Sequence, residues 1–324
     1  MTSTKRRVII VFTAVLLAVI VRFIFPAGPY LPVEPLPPGI IDMHVHLAGV
    51  GAGGSGCSVS EKLKDNWRFG LYLKSFWVSR RELEEKGDML MADRISASLA
   101  GSKLVSRAVL LAMDGVVGPD GNLDLKKTEL YVPDEFVAAA AAKHKNLLFG
   151  ASVNPYRKDA LARLERAKKN GAVLVKWIPS IMDIDPGDPK LAPFYKKLAA
   201  LRLPLLTHTG KERSFSSSND ALCDPDKLRL PLGLGVTVIA AHAALPGRYA
   251  GESGVDRLAR LMKEYPNLYT DISSLTQLNK LFFLKKTLLR LEFSGRLLYG
   301  TDFPLINTAL VSPWYYAFRL GPGR

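Results

Sequence analysis

Cysteine is scarce in this chain of 324 residues, which contains only Cys57 and Cys223. Two thiols form at most one disulfide, so a framework held by several disulfides is excluded. In an oxidising compartment the two could pair, and free thiols are the equal alternative, because sequence does not show proximity. The content of hydrophobic residues, 48%, is enough for one large α/β domain or two ordinary ones.

Three further patterns are missing. No short repeat is present, and no glycine-rich phosphate loop follows the first predicted strand, which argues against a doubly wound nucleotide-binding sheet. The net charge is +14, but the basic residues are dispersed, as in 161–169, and not clustered on one element with interleaved aromatics. Nucleic-acid binding is therefore not expected, and the charge is typical of solubility or of attraction to an anionic membrane surface.

One long apolar run lies at the N-terminus. Residues 8–21 are apolar except Thr13, follow the basic residues 5–7, and continue past Arg22 to Phe25. This length can span a bilayer if Arg22 reaches the headgroups, and the basic residues favour a cytoplasmic N-terminus. The sequence predicts an uncleaved transmembrane anchor at 1–25. A cleaved signal peptide is the alternative, although no small-x-small cleavage site follows.

Six prolines within 26–38 predict a semi-extended tether between this anchor and a domain at 39–324. With the N-terminus inside the cell, this organisation predicts a single-pass membrane protein. The domain at 39–324 would be extracytoplasmic, either periplasmic or extracellular.

Short apolar runs alternate with amphipathic helical patterns along the domain. Strands are predicted at 40–46, 105–113, 147–153, 172–178, 204–208, 236–242, 268–273 and 296–302. Helices are predicted at 133–145, 157–169, 192–201, 254–265 and 275–291. Eight such units predict an α/β fold of the (β/α)₈ TIM-barrel class, with a doubly wound open sheet as the alternative.

The first β-to-α connection, 47–103, is unusually long and predicts a cap over the substrate pocket. It contains a glycine-rich stretch, 53–56, that could hold an anion, although a flexible loop is the preferred interpretation. Only 305–324 follow the eighth predicted strand, so the last helix is expected to be short or irregular.

Four of the five histidines lie at the ends of predicted strands. His44 and His46 end the first, His208 ends the fifth and His242 ends the sixth. Successive side chains of a strand point to opposite faces, so His44 and His46 share a face and can hold one ion. Imidazole is the commonest nitrogen ligand of zinc and similar metals, so the four together predict a metal site.

Two charged residues extend this pattern. Lys176 lies among apolar residues near the end of the fourth strand, where an ammonium group must be paired, modified or exposed at the rim. Asp302 ends the eighth strand, where its carboxylate could bind a metal and accept a proton from water, or cap a helix.

Together these residues resemble the pattern of the amidohydrolase superfamily of metal-dependent barrel hydrolases. The resemblance covers Ile40 to Pro304 and is strongest to the amidohydrolase-2, or amidohydrolase-related, branch, which also includes decarboxylases. The five-part order of the ligands carries it: His44 and His46, Lys176, His208, His242 and Asp302.

The resemblance implies one or two divalent ions, zinc in the first instance, with manganese or iron as alternatives. In a binuclear site His44, His46 and Asp302 would hold one metal, and a carboxylated Lys176 would bridge to a second metal at His208 and His242. In a mononuclear site His208 would join the first group, and His242 would act in catalysis. In both cases Asp302 would move the proton of the attacking water.

These assignments predict a metal-dependent hydrolase of an amide, ester or lactone-like bond in a small molecule. A metal-dependent decarboxylase of a small organic acid is the alternative, and a non-catalytic binding protein on a decayed barrel is the third. Lys211 and Arg213 are candidates for binding an acidic substrate, and Asn154 is a candidate pocket residue. The sequence leaves a homo-oligomer open.

Overall fold

A computed structural model of the protein describes residues 10–17, 39–277, 280 and 282–305. The chain divides into two compact units, one formed by 37–307 and the other by 1–36 with 308–324. The described part of the second unit is a helix, α1, at 10–17. The first unit contains the sheet and the candidate site.

The predicted membrane anchor needs correction. Within the described residues, no helix combines the length and apolar character that crossing a bilayer requires. The predicted transmembrane helix at 1–25 is wrong on this finding, and so is the single-pass, extracytoplasmic topology drawn from it. The predicted tether at 26–38 lies outside the described residues.

Eight parallel strands form one sheet and neighbour one another in chain order. They are β1 (Ile40–His46), β2 (Val105–Leu111), β3 (Leu147–Ala151), β4 (Leu174–Trp177), β5 (Leu205–Thr207), β6 (Val238–Ala240), β7 (Leu268–Asp271) and β8 (Leu297–Leu298). The register includes Ile40 opposite Val105 in the first pair and Asp271 opposite Leu298 in the last.

The sheet is nearly closed into a TIM-barrel-like fold, and the segment after β8 makes the closing contacts with β1. The amide of Met43 donates to the carbonyl of Tyr299 at 3.0 Å, and that of His46 donates to Phe303 at 2.9 Å. Asp42 adds a side-chain link, because its Oδ1 accepts from the Thr301 amide at 3.0 Å and its Oδ2 from the Thr301 hydroxyl at 2.6 Å. Closure therefore depends on a carboxylate as well as on backbone pairing.

Helices surround the sheet. Beyond α1 the described helices are α2 (Glu61–Lys64), α3 (Trp67–Ser75), α4 (Arg80–Lys86), α5 (Met89–Ala100), α6 (Asp134–Lys143), α7 (Ala160–Lys169), α8 (Pro179–Met182), α9 (Ala192–Ala200), α10 (Arg229–Gly233), α11 (Gly254–Glu264) and α12 (Phe283–Leu288). Two further strand pairs lie outside the sheet, Ser58–Val59 with Leu130–Tyr131 and Arg248–Tyr249 with Glu252–Ser253.

Local sequence explains how these helices begin and which face they bury. At the start of α4, the Ser79 hydroxyl accepts from the Glu82 amide, and the Glu82 carboxylate accepts from the Ser79 amide. In α11, Val255, Leu258 and Met262 recur at helical spacing and are buried. Such helices cover the outer face of the strands, whose outward side chains belong to the large core cluster.

A smaller apolar cluster fills the inside of the barrel. It is built from alternate residues of the strands, with Val109, Leu111, Leu174, Leu206, Ile239 and Ala241 at its centre. Because side chains of a strand alternate between two faces, this cluster shows which residues point inward. The next inward position along each strand reaches the open, carboxyl end of the barrel.

The predicted strands and helices are found, but most strands are shorter. The predicted strands at 236–242 and 296–302, for example, correspond to Val238–Ala240 and Leu297–Leu298. The residues that were predicted at the carboxyl ends of these strands, but lie outside the observed strands, form the turns that carry the candidate site. The helix predicted at 275–291 is observed only as Phe283–Leu288, and 278, 279 and 281 lie outside the described residues.

The long connection after β1 folds into helices α2 to α5, and Leu63, Tyr72 and Phe76 from it line the pocket. Its glycine-rich stretch holds a carboxylate of the chain itself, since the Ser55 hydroxyl donates to Asp88 at 2.5 Å. The amide of Gly51 donates to the same oxygen at 2.9 Å. The anion at this loop is therefore Asp88.

Cys57 and Cys223 are both buried, and both are free thiols. Burial raises the pKa of each thiol to about 12. Of the two alternatives left open by the sequence, the structure has the unpaired one.

Candidate metal centre and substrate pocket

Strand alternation accounts for three polar side chains at the carboxyl end of the barrel. Each lies two positions after an inward-facing apolar residue of its strand, so its side chain faces the same way. The pairs are Leu174 and Lys176, Leu206 and His208, and Tyr269 and Asp271. Asp302 lies beyond the end of β8 at Leu298 and has φ of 64°, so a left-handed turn and not alternation brings it to the site.

Strand β1 departs from this simple alternation of side chains. Ile41 and Met43 pack against the inner cluster, so simple alternation would turn His44 and His46 outward. The register of β1 against β2 shifts between Asp42 and Val45, and a shift of this kind reverses the alternation. His44 then lies against Gly300, where an added Cβ would approach the Cβ of His44 to 2.9 Å. Only glycine fits at position 300.

His242 reaches the site by a backbone turn. It follows β6 with φ of 62°, and Ala243 and Ala244 continue at 50° and 56°. Left-handed conformations are unfavourable for residues with a Cβ and concentrate at functional sites. The Asp271 carboxylate stabilises the turn by accepting from the His242 amide at 2.8 Å.

Three donor atoms converge at the candidate metal centre. His44 Nε2 and His46 Nε2 are 3.2 Å apart, and Asp302 Oδ1 lies 3.4 Å and 3.3 Å from them. Ligand atoms bound at about 2.0–2.2 Å in a tetrahedral site are roughly 3.3–3.6 Å from one another. Two imidazoles and a carboxylate at this spacing fit a divalent ion of the zinc, manganese or iron kind.

The ring of His44 is held with its Nε2 toward this centre. Its Nδ1 lies 2.8 Å from Asp271 Oδ2, both side chains are fully buried, and a carboxylate only accepts. The proton of neutral His44 is therefore on Nδ1, and Nε2 carries a lone pair that faces the centre and can bind a metal. Histidine ligands of metals commonly have such a carboxylate partner.

A second pair of histidines has an equally defined orientation. His242 Nδ1 donates to the Ser273 carbonyl at 3.1 Å, so its Nε2 carries the lone pair. His242 Nε2 accepts from His208 Nδ1 at 3.1 Å, and Glu212 Oε2 lies 3.5 Å from His208 Nδ1. His208 Nε2 is buried and has no hydrogen-bond partner among the described residues. It is a free donor atom of the type that a metal binds.

Lys176 is fully buried, and its Nζ lies 2.9 Å from His44 Nε2. Within the described part of the chain, no carboxylate oxygen lies within 4.0 Å of this ammonium group. Burial lowers the pKa of Lys176 to about 8. A lysine in this position loses protonation more easily than an exposed one, because its charge is poorly solvated.

Burial favours the neutral forms of His44, His208 and His242, whereas Asp302 is kept ionised. Burial, followed by the charge of Lys176, lowers the pKa of His44 to about 4. Burial also lowers the pKa values of His208 and His242. Burial alone would raise the pKa of Asp302, but His242 and the hydrogen bond from His46 outweigh it and hold that pKa well below its ordinary value. Neutral imidazoles and a carboxylate are the forms that bind metal.

The pocket above this centre has polar and apolar walls. His46, His208, His242 and Asp302 form its floor, and Lys211, Glu212 and Arg213 line it from the loop after β5. The predicted substrate-binding residues Lys211 and Arg213 thus lie at the pocket.

Asn154, the third candidate, is not among the residues that line it. Its amide donates to the carbonyls of Gly115 and Met182 at 2.9 and 2.8 Å, so it joins two backbone segments.

Four residues of the site were not selected from the sequence: Asp271, Ser273, Glu212 and Lys280. Asp271 ends β7, so the rule that selected the other strand-end residues would have found it. Glu212 lies between Lys211 and Arg213, but its sequence position does not show that it reaches His208. Lys280 lies within the stretch for which the sequence predicts a helix, and no pattern in the sequence predicts that it enters the pocket.

The sequence model of the family described as Amidohydrolase matches residues 41–322. The chain belongs to the amidohydrolase family. The predicted membership is confirmed, and so is the prediction of an amidohydrolase-family enzyme, with which both hydrolysis and decarboxylation are compatible. The family is metal-dependent and acts on small molecules, whereas the identity of the metal is not determined. No curated protein matches the chain.

Solved structures agree on the fold. An uncharacterised TIM-barrel protein from Bordetella bronchiseptica is 18% identical with a TM-score of 0.58, covering 88% of this chain and 92% of that one. A putative 2-pyrone-4,6-dicarboxylic acid hydrolase from Pseudomonas putida is 16% identical with a TM-score of 0.50, covering 83% and 84%. At these identities the likeness shows the barrel alone. It gives no support to the membrane anchor or the homo-oligomer.

Proposed function

We propose that this amidohydrolase-family protein is a hydrolase that binds one or two divalent ions, zinc in the first instance, and cleaves an amide, ester or lactone-like bond. The convergence of His44 Nε2, His46 Nε2 and Asp302 Oδ1 within 3.4 Å of one another carries the proposal. A bound ion supplies Lewis acidity, which makes water more acidic and polarises a carbonyl group.

The residues of the chain supply binding and proton transfer. Asp302 is ionised at neutral pH, so it can accept a proton from the attacking water and return it to the leaving group. Asp271 keeps the Nε2 lone pair of His44 directed at the centre. His242 is held between the Ser273 carbonyl and His208, which orients it toward substrate or water in the pocket.

Lys176 is proposed to be carboxylated and to bridge two ions, as the resemblance implies. The burial of its ammonium group without a nearby carboxylate supports this, because carboxylation replaces an unfavourable cation by an anion beside metal ions. In this arrangement His208 and His242 hold the second ion. With unmodified Lys176 the site has one ion.

Metal content and turnover test the proposal together. The full-length protein is assayed by elemental analysis and against a panel of small lactones, esters and amides. His44→Ala/His46→Ala is expected to lose metal and activity. Asp302→Asn is expected to lose activity by about a hundredfold or more, since general acid–base groups contribute about 10²–10⁴. Asp185→Asn, in a half-exposed pair with Lys227, is the matched control and should change neither.

Two results contradict the proposal. Unchanged metal content in the double variant would remove the metal centre. Release of CO₂ from small organic acids by the wild type, without hydrolysis of any member of the panel, would instead establish the decarboxylase alternative.

A further inference from the structure

Glu212 is a carboxylate of the pocket that the proposed mechanism does not use. Its side chain is only 7% exposed, and in the described part of the chain its one ion-pair partner is His208. A carboxylate so far from water needs hydrogen-bond donors, because burial of its charge without them is unfavourable. The donors around Glu212 come from two places, the loop after β5 and the ring of His208.

The first oxygen of Glu212 holds the loop that follows β5. Oε1 accepts from the amide of Arg213 at 2.7 Å and from that of Ser214 at 2.6 Å. The carbonyls of the same two residues accept from helix α3, from Arg68 at 3.1 Å and from Tyr72 at 3.0 Å. Arg213 and Ser214 line the pocket. Glu212 therefore fixes two peptide groups of the pocket wall against α3.

The second oxygen of Glu212 faces the candidate metal ligand His208. The proton on His208 Nδ1 has two acceptors near it, His242 Nε2 at 3.1 Å and Glu212 Oε2 at 3.5 Å. In the two-ion arrangement the metal uses the lone pair of His242 Nε2, so Glu212 is the acceptor that remains. With one ion both acceptors remain, and the carboxylate is the stronger because it is charged. Histidine ligands commonly donate to such a carboxylate from the ring nitrogen that does not bind the metal.

We infer that Glu212 is a positioning residue that couples the metal centre to the pocket loop, residues 210–220 after β5. Its two oxygens join His208 Nδ1 to the amides of Arg213 and Ser214, so metal binding and loop order favour the same placement of one carboxylate. Such coupling is reciprocal. Metal at His208 should hold the pocket loop in place, and an ordered pocket loop should raise metal affinity. The inference rests on the proposed function for the presence of metal at His208.

Hydrogen exchange tests the coupling in the full-length wild type. Exchange of the Arg213 and Ser214 amides is followed by mass spectrometry with and without zinc. Partners that orient a metal-binding histidine contribute about 10- to 100-fold to metal affinity, so zinc should slow this exchange by up to about the same factor. The amides of Lys126 and Lys127 are the internal control, because Asp124 holds them in the same way at 3.0 and 3.3 Å away from the pocket. Their exchange should not change.

Glu212→Asp separates the two contacts of the carboxylate. The shorter side chain can still accept from the amide two residues on, as aspartate does in turns, but it does not reach His208. The variant should bind zinc about 10- to 100-fold more weakly in competition with a coloured chelator, and zinc should no longer slow exchange at Ser214. Glu264→Asp makes the same change on α11, in a half-exposed pair with Arg229, and should leave both measurements as in the wild type.

Two results would overturn the inference alone. One is a wild type that binds zinc without slower exchange at Arg213 and Ser214, and the other is wild-type zinc affinity in a folded Glu212→Asp variant. The exchange experiment needs no variant, so it decides even where Glu212→Asp does not fold. A wild type that binds no zinc would contradict the proposed function and the inference with it. Zinc-dependent protection of the pocket loop without any hydrolysis would contradict the hydrolase alone.

Discussion

Asp271→Asn is expected to weaken metal binding without unfolding the barrel. Asp271 Oδ2 accepts from His44 Nδ1 at 2.8 Å, and Oδ1 accepts from the His242 amide at 2.8 Å and the Ser273 amide at 3.2 Å. Asparagine offers one oxygen and one NH₂ group in the same shape, so it cannot satisfy both sides.

The oxygen of asparagine is expected to stay with the two backbone amides, because leaving both without an acceptor costs more than losing one side-chain contact. The NH₂ group then faces His44 Nδ1. To accept from it, His44 must move its proton to Nε2, which removes the lone pair from the metal centre. Changes to partners of this kind cost about 10- to 100-fold in metal affinity, or about 1.4–2.7 kcal/mol.

Zinc affinity is measured by competition with a coloured chelator, and circular dichroism of the metal-free variant checks its folding. Asp185→Asn makes the same chemical change in a half-exposed pair and should leave affinity unchanged. A folded Asp271→Asn variant with wild-type zinc affinity would show that Asp271 does not orient His44.

Lys176→Ala is expected to lose the second metal and most activity, and short carboxylic acids should restore part of both. Lys176→Arg should be equally inactive. Full turnover and full metal content in the alanine variant would establish a mononuclear site. For Asp134, burial raises the pKa to about 7 from an ordinary 3.8. Its contribution to stability is therefore fully present below about pH 4 and lost as pH rises through 7. Urea titrations give the free energy of unfolding of the wild type and of Asp134→Asn. As pH rises across that window, the wild type should lose stability relative to the variant. A constant difference between the two would refute the raised pKa. Asp42→Ala should cost about 2 kcal/mol or more by thermal unfolding because the His44 and Thr301 amides lose their acceptor, whereas Asp42→Asn can still accept from both and should lose much less. Arg157→Ala leaves Asp114 buried without its partner and should cost about 3–5 kcal/mol in the same assay, so a loss below about 1 kcal/mol would show that the pair is solvated.

The barrel strands were predictable because they are short apolar runs at regular intervals, and an apolar run covered on both faces is a local property of the sequence. The candidate ligands were predictable for a related reason, since polar residues that end such runs meet at one edge of a parallel barrel. His44, His208 and Asp302 are of this kind. Asp271, at the end of β7, obeys the same rule.

The membrane anchor shows where a local pattern misleads. Residues 8–25 have the composition of a spanning segment, but composition does not determine how many of them join one helix. Within the described residues, no helix is long and apolar enough to cross a membrane. Hydropathy alone therefore did not predict this part of the fold correctly.

The sequence by itself determined which chemical groups stand at the strand ends, because strand periodicity is written in adjacent residues. Only the tertiary structure decided how they face one another. The shifted register of β1 turns His44 and His46 inward, and left-handed φ values bring His242 back to His208. Asp271 meets His44 through a contact between residues 227 positions apart in the chain. Such contacts depend on the packing of the whole barrel, which no local pattern encodes.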